Sequence, residues 1–598
     1  DLHKAIRRQR QMCIRDRLTP DLGMAVTGYY THTGGFFENL ATGDKCDWER
    51  LGGGRWKTQW RNRTGLRIDN TLSFSVLEQG GYPYAYVGDD IIGDDGRPVV
   101  RRGEIRYNDP CSYRRTALSD GLTIRYDAGN FTVASITCYQ YSDDEMILDQ
   151  DFLPLSYFTL RQARTEHSVT EDLVFRSRGD KAYRWLLGAF GFYRHGTMNA
   201  PVHFKQTGIE ELILKYANEN DQSYRYSWGL KDGTGGDELF LGSDFRMPSA
   251  GGALYHESNY TLGRWRFTAG LRFDFEHARL RYRNYTDTWY TKTHIKNETA
   301  YERPIDIDDR STLKQTFTEL LPKFSVMYSF DETRNLYLTI AKGYKSGGFN
   351  TQIFSDVLQQ KMMNRMGIGE VYDVQRGVAY KPEYSWNYEI GGHFSCMEGA
   401  VRGDFALFYI DCRDQQLTVF PPGQTTGRMM TNAGRTRSLG AEAAVQISPW
   451  RTFDINLAYG YTDARFVRYE TTVKNDDGDP VRISYKDNRI PYAPQHTLSA
   501  GAAWTVPTGV KWLGDLVFQA GVRCAGRIWW NEENTLSQPF YALTDASVRF
   551  EHARYSLSVW GRNLADAGYD VFYFKSIGNE FVQRGRPRTF GITLNINL

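Results

Sequence analysis

The sequence predicts an all-β fold, a large antiparallel transmembrane β-barrel, and three observations carry that prediction. Long segments alternate apolar and polar residues with a period of two. The connections between them alternate between short and long. The texture also stays constant from about residue 20 to the end of a 598-residue chain. A soluble chain of this length usually divides into several domains. No linker interrupts this one, and the interior of a barrel need not be filled by a core.

Composition agrees with a barrel. Aromatic residues make up 14% of the chain, led by 39 Tyr, alongside 57 Gly. Mean hydropathy is −0.55, and no run approaches the ~18 apolar residues of a spanning helix. Alternating strands average out as polar, so this excludes a helical span and leaves a barrel open. A net charge of +2 argues neither for nor against a nucleic-acid partner, and none is expected.

The first strand is expected near residues 24–35. Further along, Trp265, Phe267, Ala269, Leu271, Phe273 and Phe275 share one face, while Arg264, Arg266, Thr268, Arg272, Asp274 and Glu276 share the other. That polar face requires water or a wet lumen. The apolar row extends over about eleven residues, which fits the ~9–11 residues of a tilted membrane strand better than the roughly five or six of a typical strand. Leu516, Phe518, Ala520 and Val522 oppose Gln519, Gly521 and Arg523; Ala542, Thr544, Ala546, Val548 and Phe550 oppose Asp545, Ser547 and Arg549. The last strand, 588–598, sets Phe590, Ile592, Leu594, Ile596 and Leu598 against Thr589, Gly591, Thr593, Asn595 and Asn597.

Short connections fall at 128–130, 179–181, 397–399 and 553–554. Long ones fall at roughly 79–118, 197–246, 283–313, 350–380 and 468–490. Short turns on one side and long loops on the other are the pattern of outer-membrane barrels, with the long loops outside the cell. Counting gives about 20 strands, an even number, the first rising and the last descending.

Two features stand apart. Lys4, Arg7, Arg8, Arg10, Arg15 and Arg17 make residues 1–17 a basic run without an apolar core, so it is not a secretory signal. It is set aside as a foreign or artefactual extension, with a nucleic-acid arm as the alternative. Of seven cysteines, none forms a CxxC or has His partners at metal spacing. Cys46 and Cys111 fall in neighbouring loops, which admits a disulfide; unpaired small apolar residues are the alternative.

Six motifs occur in one order. They are the run from Ala341 through Gly343-Tyr344 and Gly347-Gly348 to Asn350; Lys381-Pro382-Glu383 with Asn387, Tyr388, Glu389 and Gly391; Asn432-Ala433-Gly434 with Leu439-Gly440-Ala441-Glu442; Ile490-Pro491-Tyr492-Ala493-Pro494; Asn563-Leu564 with Asp566 and Tyr569; and Gly585-Arg586-Pro587-Arg588 before the alternating end. Together they resemble the TonB-dependent outer-membrane receptors, in their iron-siderophore branch. The resemblance covers the chain from about residue 20 and is strongest from about residue 340. The family usually ends in Phe, and Leu598 departs from that. Read for themselves, Gly343, Gly347 and Gly348 relieve crowding, Pro491 and Pro494 mark a strand start, and Asn432 and Asn563 bond backbone at a rim.

The resemblance implies a receptor in the outer membrane of a Gram-negative bacterium that imports ferric-siderophore complexes, energised through TonB. It implies outer-membrane lipid, the TonB complex and the iron–siderophore ligand as partners, and a monomer. Family barrels have 22 strands and follow a plug and a TonB-contacting segment. Gly28-Tyr29-Tyr30 and Gly34-Gly35-Phe36-Phe37 with Asn39 resemble the third strand and its loop. Residues 18–598 are therefore expected to be the barrel portion, without plug or first hairpin, leaving the seam open or closed as a smaller strained barrel.

No nucleophile–base pair, GxSxG elbow, P-loop or HExxH is present, so no catalytic residue, metal site, cofactor or enzyme activity is expected. Ferric siderophores are often anionic and aromatic, which points to arginines and aromatics for ligand contact. Tyr82, Tyr84 and Tyr86 in a long loop are one candidate cluster; Arg523, Arg527, Trp529 and Trp530 at an outer strand end are another. A membrane-interface girdle is the competing reading, preferred for Trp529 and Trp530. Uptake of cobalamin or haem on the same architecture is the nearest alternative, although no FRAP or NPNL haem motif is present. A passive porin and a soluble carbohydrate-binding β protein are alternatives of other classes.

Overall fold

The computed structural model describes residues 16–17, 19–93, 95–368, 377–419, 429–474, 480–510, 514–552 and 554–596. Twenty strands follow one another as an antiparallel meander: β1 (Leu22–Thr33), β2 (Glu49–Arg61), β3 (Leu66–Gln79), β4 (Ser112–Asp127), β5 (Phe131–Asp149), β6 (Phe158–Ser177), β7 (Tyr183–Asn199), β8 (Glu238–Leu262), β9 (Trp265–His294), β10 (Ala300–Ser329), β11 (Asn335–Lys345), β12 (Glu383–Cys396), β13 (Val401–Val419), β14 (Met429–Trp450), β15 (Phe453–Arg468), β16 (His496–Pro507), β17 (Asp515–Ala525), β18 (Tyr541–Glu551), β19 (Tyr555–Arg562) and β20 (Thr589–Ile596). The first and last lie within two residues of the positions expected from alternation, and the strand number is the one counted. Residues 597–598 of the expected last strand, and Cys13 with most of the basic run, lie outside the described residues.

The cross-strand register separates the two faces. Opposing residues point the same way, so the row containing Trp265, Leu271 and Phe273 on β9 continues through Leu262 and Leu254 on β8 and Tyr328 and Phe324 on β10. Tyr328 is half-buried and the other side chains are exposed. On the opposite face Arg272 makes two 2.8 Å hydrogen bonds to Asp274, Tyr255 donates to Asp172 at 2.7 Å and Lys323 pairs with Glu257 at 3.2 Å. The polar row lines a lumen and the apolar row faces outward. On β20, Phe590 and Ile592 are each 71% exposed, so the aliphatic end is not packed into a dry centre.

Among the described residues β20 pairs with β19 alone, and β1 pairs with β2 and with Asp16–Arg17. No ladder joins β1 to β20 among them.

One expected loop is corrected. Residues 283–313 are mostly strand: β9 and β10 are 30 residues each, in unbroken register from Trp265↔Tyr328 to Thr293↔Ala300. Their upper halves rise past the hydrocarbon, where the outward face meets water and the inner face packs Leu280, Tyr282, Ile305 and Ile307 into buried clusters, so an apolar outward row is no longer required. Arg279, Arg281 and Arg283 continue the row that holds Phe273 and Phe275 lower down. Asp308 bridges Arg283 (3.0 Å) and Arg310 (2.6 Å) across this hairpin. The other expected loops also contain regular structure: Tyr84–Tyr86 is a strand in 79–118, Val202–Lys205 and Tyr224–Trp228 are strands in 197–246, helix α1 (Phe354–Met366) lies in the 345–383 connection, and Glu470–Lys474 pairs with Pro480–Ser484.

Helix α1 packs on the lumenal side of the tall strands. Phe354 meets Phe245 at 5.0 Å and Tyr282 at 4.6 Å between ring centroids, and Asn284 Nδ2 donates to the Phe354 carbonyl at 3.1 Å. Gly367, in the left-handed region at φ 79°, ends it. The motif residues read as architecture act so: Asn432 Nδ2 donates to the Lys381 and Asp414 carbonyls (2.9 and 2.8 Å), and a Cβ on Gly347 would sit 2.5 Å from the Tyr380 carbonyl oxygen.

Cys46 and Cys111 are both free thiols packed into one cluster with Tyr107 and Trp530. Cys111 Sγ accepts the Asp149 N–H at 3.2 Å. Burial pushes the two thiols up to about 11 and about 12, which keeps them protonated and unreactive as nucleophiles.

Candidate functional site

At the long-connection end, five connections converge on one cavity of about 450 Å³. They leave β3, β5, β7, β11 and β19, so segments distant in sequence share a wall. A small sheet supports it, in the order Asp570–Ser576, Asn579–Arg584, Tyr84–Tyr86. The hairpin within it turns through Ile577 (φ 49°) and Gly578 (φ 74°), the two positive-φ residues that a tight two-residue hairpin turn demands. The Ser576 hydroxyl donates to the Gln150 carbonyl at 2.6 Å, tying this hairpin to the β5–β6 connection.

Two buried carboxylates shape that connection. Asp149 and Asp151 are fully buried. Asp149 accepts the N–H groups of Asp109 (3.0 Å) and Phe152 (3.2 Å), and Asp151 accepts those of Leu153 (2.9 Å) and Tyr157 (3.3 Å). The side chains replace the backbone partners that a short buried loop lacks. Burial pushes both carboxyls above the usual carboxylate range, and repulsion from Asp149 drives Asp151 further. A group whose folded value is raised binds its proton more tightly when folded. Its stabilisation is therefore present at low pH and fades as pH climbs through the raised values. Amide exchange at Leu153 and Tyr157, corrected for its intrinsic pH dependence, is expected to accelerate from about pH 4, the ordinary carboxyl value, to about pH 9, where Asp151 ionises. Asp151→Asn is expected to flatten that profile; a flat profile in the unsubstituted protein would refute the linkage.

The cavity wall is aromatic. Tyr82 stacks on Tyr84 at 5.6 Å, Tyr84 meets Phe574 edge-on at 4.6 Å, and Phe152 meets Phe574 edge-on at 5.2 Å. Phe158, stacked on Phe204 at 4.8 Å, and Phe572 add to the lining. Neutral hydrogen-bonding groups are set between them, including Gln150, Gln162, Ser243 and Gln352. The lining cation Lys575 pairs with Glu580 at 3.0 Å. Burial pushes the Tyr82 phenol upward, so it stays a neutral donor. This surface suits a flat apolar or aromatic ligand whose few polar atoms need partners.

Tyr82 and Tyr84 thus line the cavity, while Tyr86 does not. Tyr86 is 5% exposed, packs edge-on to Phe581 at 5.9 Å and donates to the Asp89 carbonyl at 2.7 Å. The second expected cluster divides. Arg523 lies on the lumenal face of β17, paired with Asp545 at 3.0 Å, in a separate hollow shared with His393 and Asp404. Arg527 stacks over Trp529 at 5.3 Å. Trp530 is 7% exposed among Cys46, Ala85, Ile105 and Tyr573. A membrane-interface girdle is wrong for Trp530, because loops cover it before lipid can. Sequence reading passed over Phe152, Phe572, Phe574 and Lys575. The spacing of Phe572 and Phe574 about Tyr573 was a visible strand signal, but nothing local shows that this strand meets Tyr84.

Over residues 20–564 the chain matches the family described as TonB dependent receptor-like, beta-barrel. It belongs to that family. The assignment places the TonB-dependent receptor barrel in the outer membrane of a Gram-negative cell, with its apolar rows in the bilayer. Curated relatives include a pesticin receptor of Yersinia enterocolitica, 26% identical over 287 residues, which are 48% of this chain and 37% of that protein. A ferrioxamine receptor of Yersinia enterocolitica is 25% identical over 292 residues, 47% of this chain and 34% of the relative. The match thus spans little more than a third of these relatives' length. Among solved structures, the ferric yersiniabactin uptake receptor of Yersinia pestis superposes with TM-score 0.69 at 18% identity, covering 97% of this chain and 76% of that one. A siderophore receptor of Acinetobacter baumannii gives TM-score 0.66 at 13% identity, with 97% and 78% covered. At those identities the likeness is one of fold.

Proposed function

We propose that this TonB-dependent receptor barrel captures ferric-siderophore complexes at the cell surface and passes them inward, energised through TonB. The observation that carries this reading is the aromatic cavity assembled by five outer connections around Tyr82, Tyr84 and Phe574. An iron chelate with aromatic or apolar arms buries its rings there, and its polar atoms meet amides, hydroxyls and Lys575. The metal is cargo, held by its chelator. Among the described residues no group of three or more His, Cys, Asp or Glu is placed to hold a metal ion. The receptor names carried by the relatives support the same reading.

The test is binding of ferric catecholate, hydroxamate and phenolate chelates to the purified chain, followed by intrinsic fluorescence. At least one aromatic chelate is expected to bind, with affinity at least tenfold weaker in Tyr84→Ala, the order of one lost aromatic contact. Equal binding by Tyr84→Ala would remove the cavity from the mechanism. In cells, uptake of the bound chelate should vanish when TonB is deleted; uptake that persists would reassign the barrel to passive transport.

A further inference from the structure

The wall of the aromatic cavity carries no net positive charge. Among the described residues around this space of about 450 Å³, Lys575 is the one charged side chain, and Glu580 at 3.0 Å neutralises it. No arginine lines the cavity among them. Asp149 and Asp151 stand on either side of the lining residue Gln150, and their oxygens accept backbone N–H groups rather than cations. Any charge those two carboxyls carry is therefore negative. The arginines expected from the sequence lie elsewhere. Arg523 pairs with Asp545 at 3.0 Å in the separate hollow, and Arg527 stacks over Trp529 at 5.3 Å.

The other polar groups of the wall are neutral. Ser243 on β8 stands opposite the lumenal Asn284. It is 2% exposed, and its hydroxyl lines the cavity with no hydrogen-bond partner among the described residues. Gln150, Gln162 and Gln352 add amides. Such groups replace single hydrogen bonds to water but supply no countercharge. A chelate that enters loses its hydration shell. A neutral complex gives up little and gains ring contact with Tyr82, Tyr84, Phe152 and Phe574. A complex with several negative charges gives up the solvation of each, and an uncompensated buried charge is costly.

We propose that this cavity selects ferric chelates by charge, taking aromatic complexes that are neutral or singly charged and rejecting triply anionic ones. The inference rests on the reading of this barrel as a ferric-chelate receptor, and it names the class of chelate served. The pairing of Lys575 with Glu580 carries it: with that ammonium already held, the described wall has no cation left for a polyanion. Oxygens of the bound chelate meet the Ser243 hydroxyl and the glutamine amides instead. Such a site departs from the arginine-rich contact that an anionic ligand led the sequence reading to expect.

Two hexadentate chelators built on one tripodal triamine separate charge from shape. Three hydroxypyridinone arms give a neutral ferric complex, and three catechol arms give a triply anionic one of nearly the same size. Binding to the purified 598-residue chain is read by equilibrium dialysis of radioiron, counting what an excess of the gallium complex of the same chelator displaces. The neutral complex is expected to bind at least about tenfold more tightly. Gln352→Lys adds a cation at an exposed lining position and is expected to narrow that ratio at least about threefold; heat-modifiable migration verifies its fold. Equal affinities, tighter binding of the anion, or a ratio that Gln352→Lys leaves unchanged would each overturn selection by charge while the receptor reading stands. If neither complex binds, or if binding of both is indifferent to Tyr84→Ala, the receptor reading itself fails and the inference falls with it.

Discussion

Replacing Leu271 with Arg is expected to destabilise the barrel in a lipid bilayer by about 2–4 kcal/mol, the cost of a cation near the hydrocarbon midplane. Leu271 is 50% exposed and central in the outward row from Trp265 to Phe275. Thr268, three residues away, points the opposite way and donates to Asn259 at 2.7 Å. Thr268→Arg puts the same side chain into the wet lumen and is expected to cost under about 1 kcal/mol beyond that one hydrogen bond. The comparison holds strand, depth and residue type nearly fixed and changes only the solvent. Reversible urea unfolding in bilayers measures both values. Equal costs would mean that both faces see the same medium, and the transmembrane reading of the rows would fall.

The same contrast explains how much of this protein was legible in its sequence. Where hydrocarbon bathes one face and water the other, each residue's polarity reports its side. That is why Trp265 to Phe275 could be assigned, and why the strand number followed. Above the bilayer the constraint lapses. Arg279, Arg281 and Arg283 continue the apolar row as cations, so the upper hairpin was taken for a loop although its register never breaks. The cavity was half legible for another reason. Tyr82 and Tyr84 stand out locally, but their partners Phe152 and Phe574 come from connections about 70 and 490 residues away. Only the pairing of the β19–β20 hairpin with Tyr84–Tyr86 brings them together. Trp530 shows the converse error, since a Trp beside a strand end resembles a girdle residue until another loop is found covering it.

The largest single effect within the outer loops is expected at Phe574. Its ring is 7% exposed and meets Tyr84, Phe152 and Phe581 at 4.6, 5.2 and 5.4 Å. It therefore links the β3–β4 and β5–β6 connections to the hairpin that it occupies. Truncation to Ala removes a large buried ring from a site whose neighbours hang from different strands and cannot all close the gap. Such changes cost about 3–5 kcal/mol. The barrel strands hold one another through long ladders that do not pass through Phe574, so the loss should stay local. Amides of Leu153, Ala85 and Val582 are expected to exchange roughly 10² to 10³ times faster in Phe574→Ala, as about 3–4 kcal/mol of local opening energy requires. Those of β9 and β10 should not change. Because the same ring lines the cavity, chelate binding should weaken together with protection. If exchange accelerates while binding is retained, the ligand does not depend on this wall. If neither changes, the convergence of connections around Phe574 is not what holds the loops.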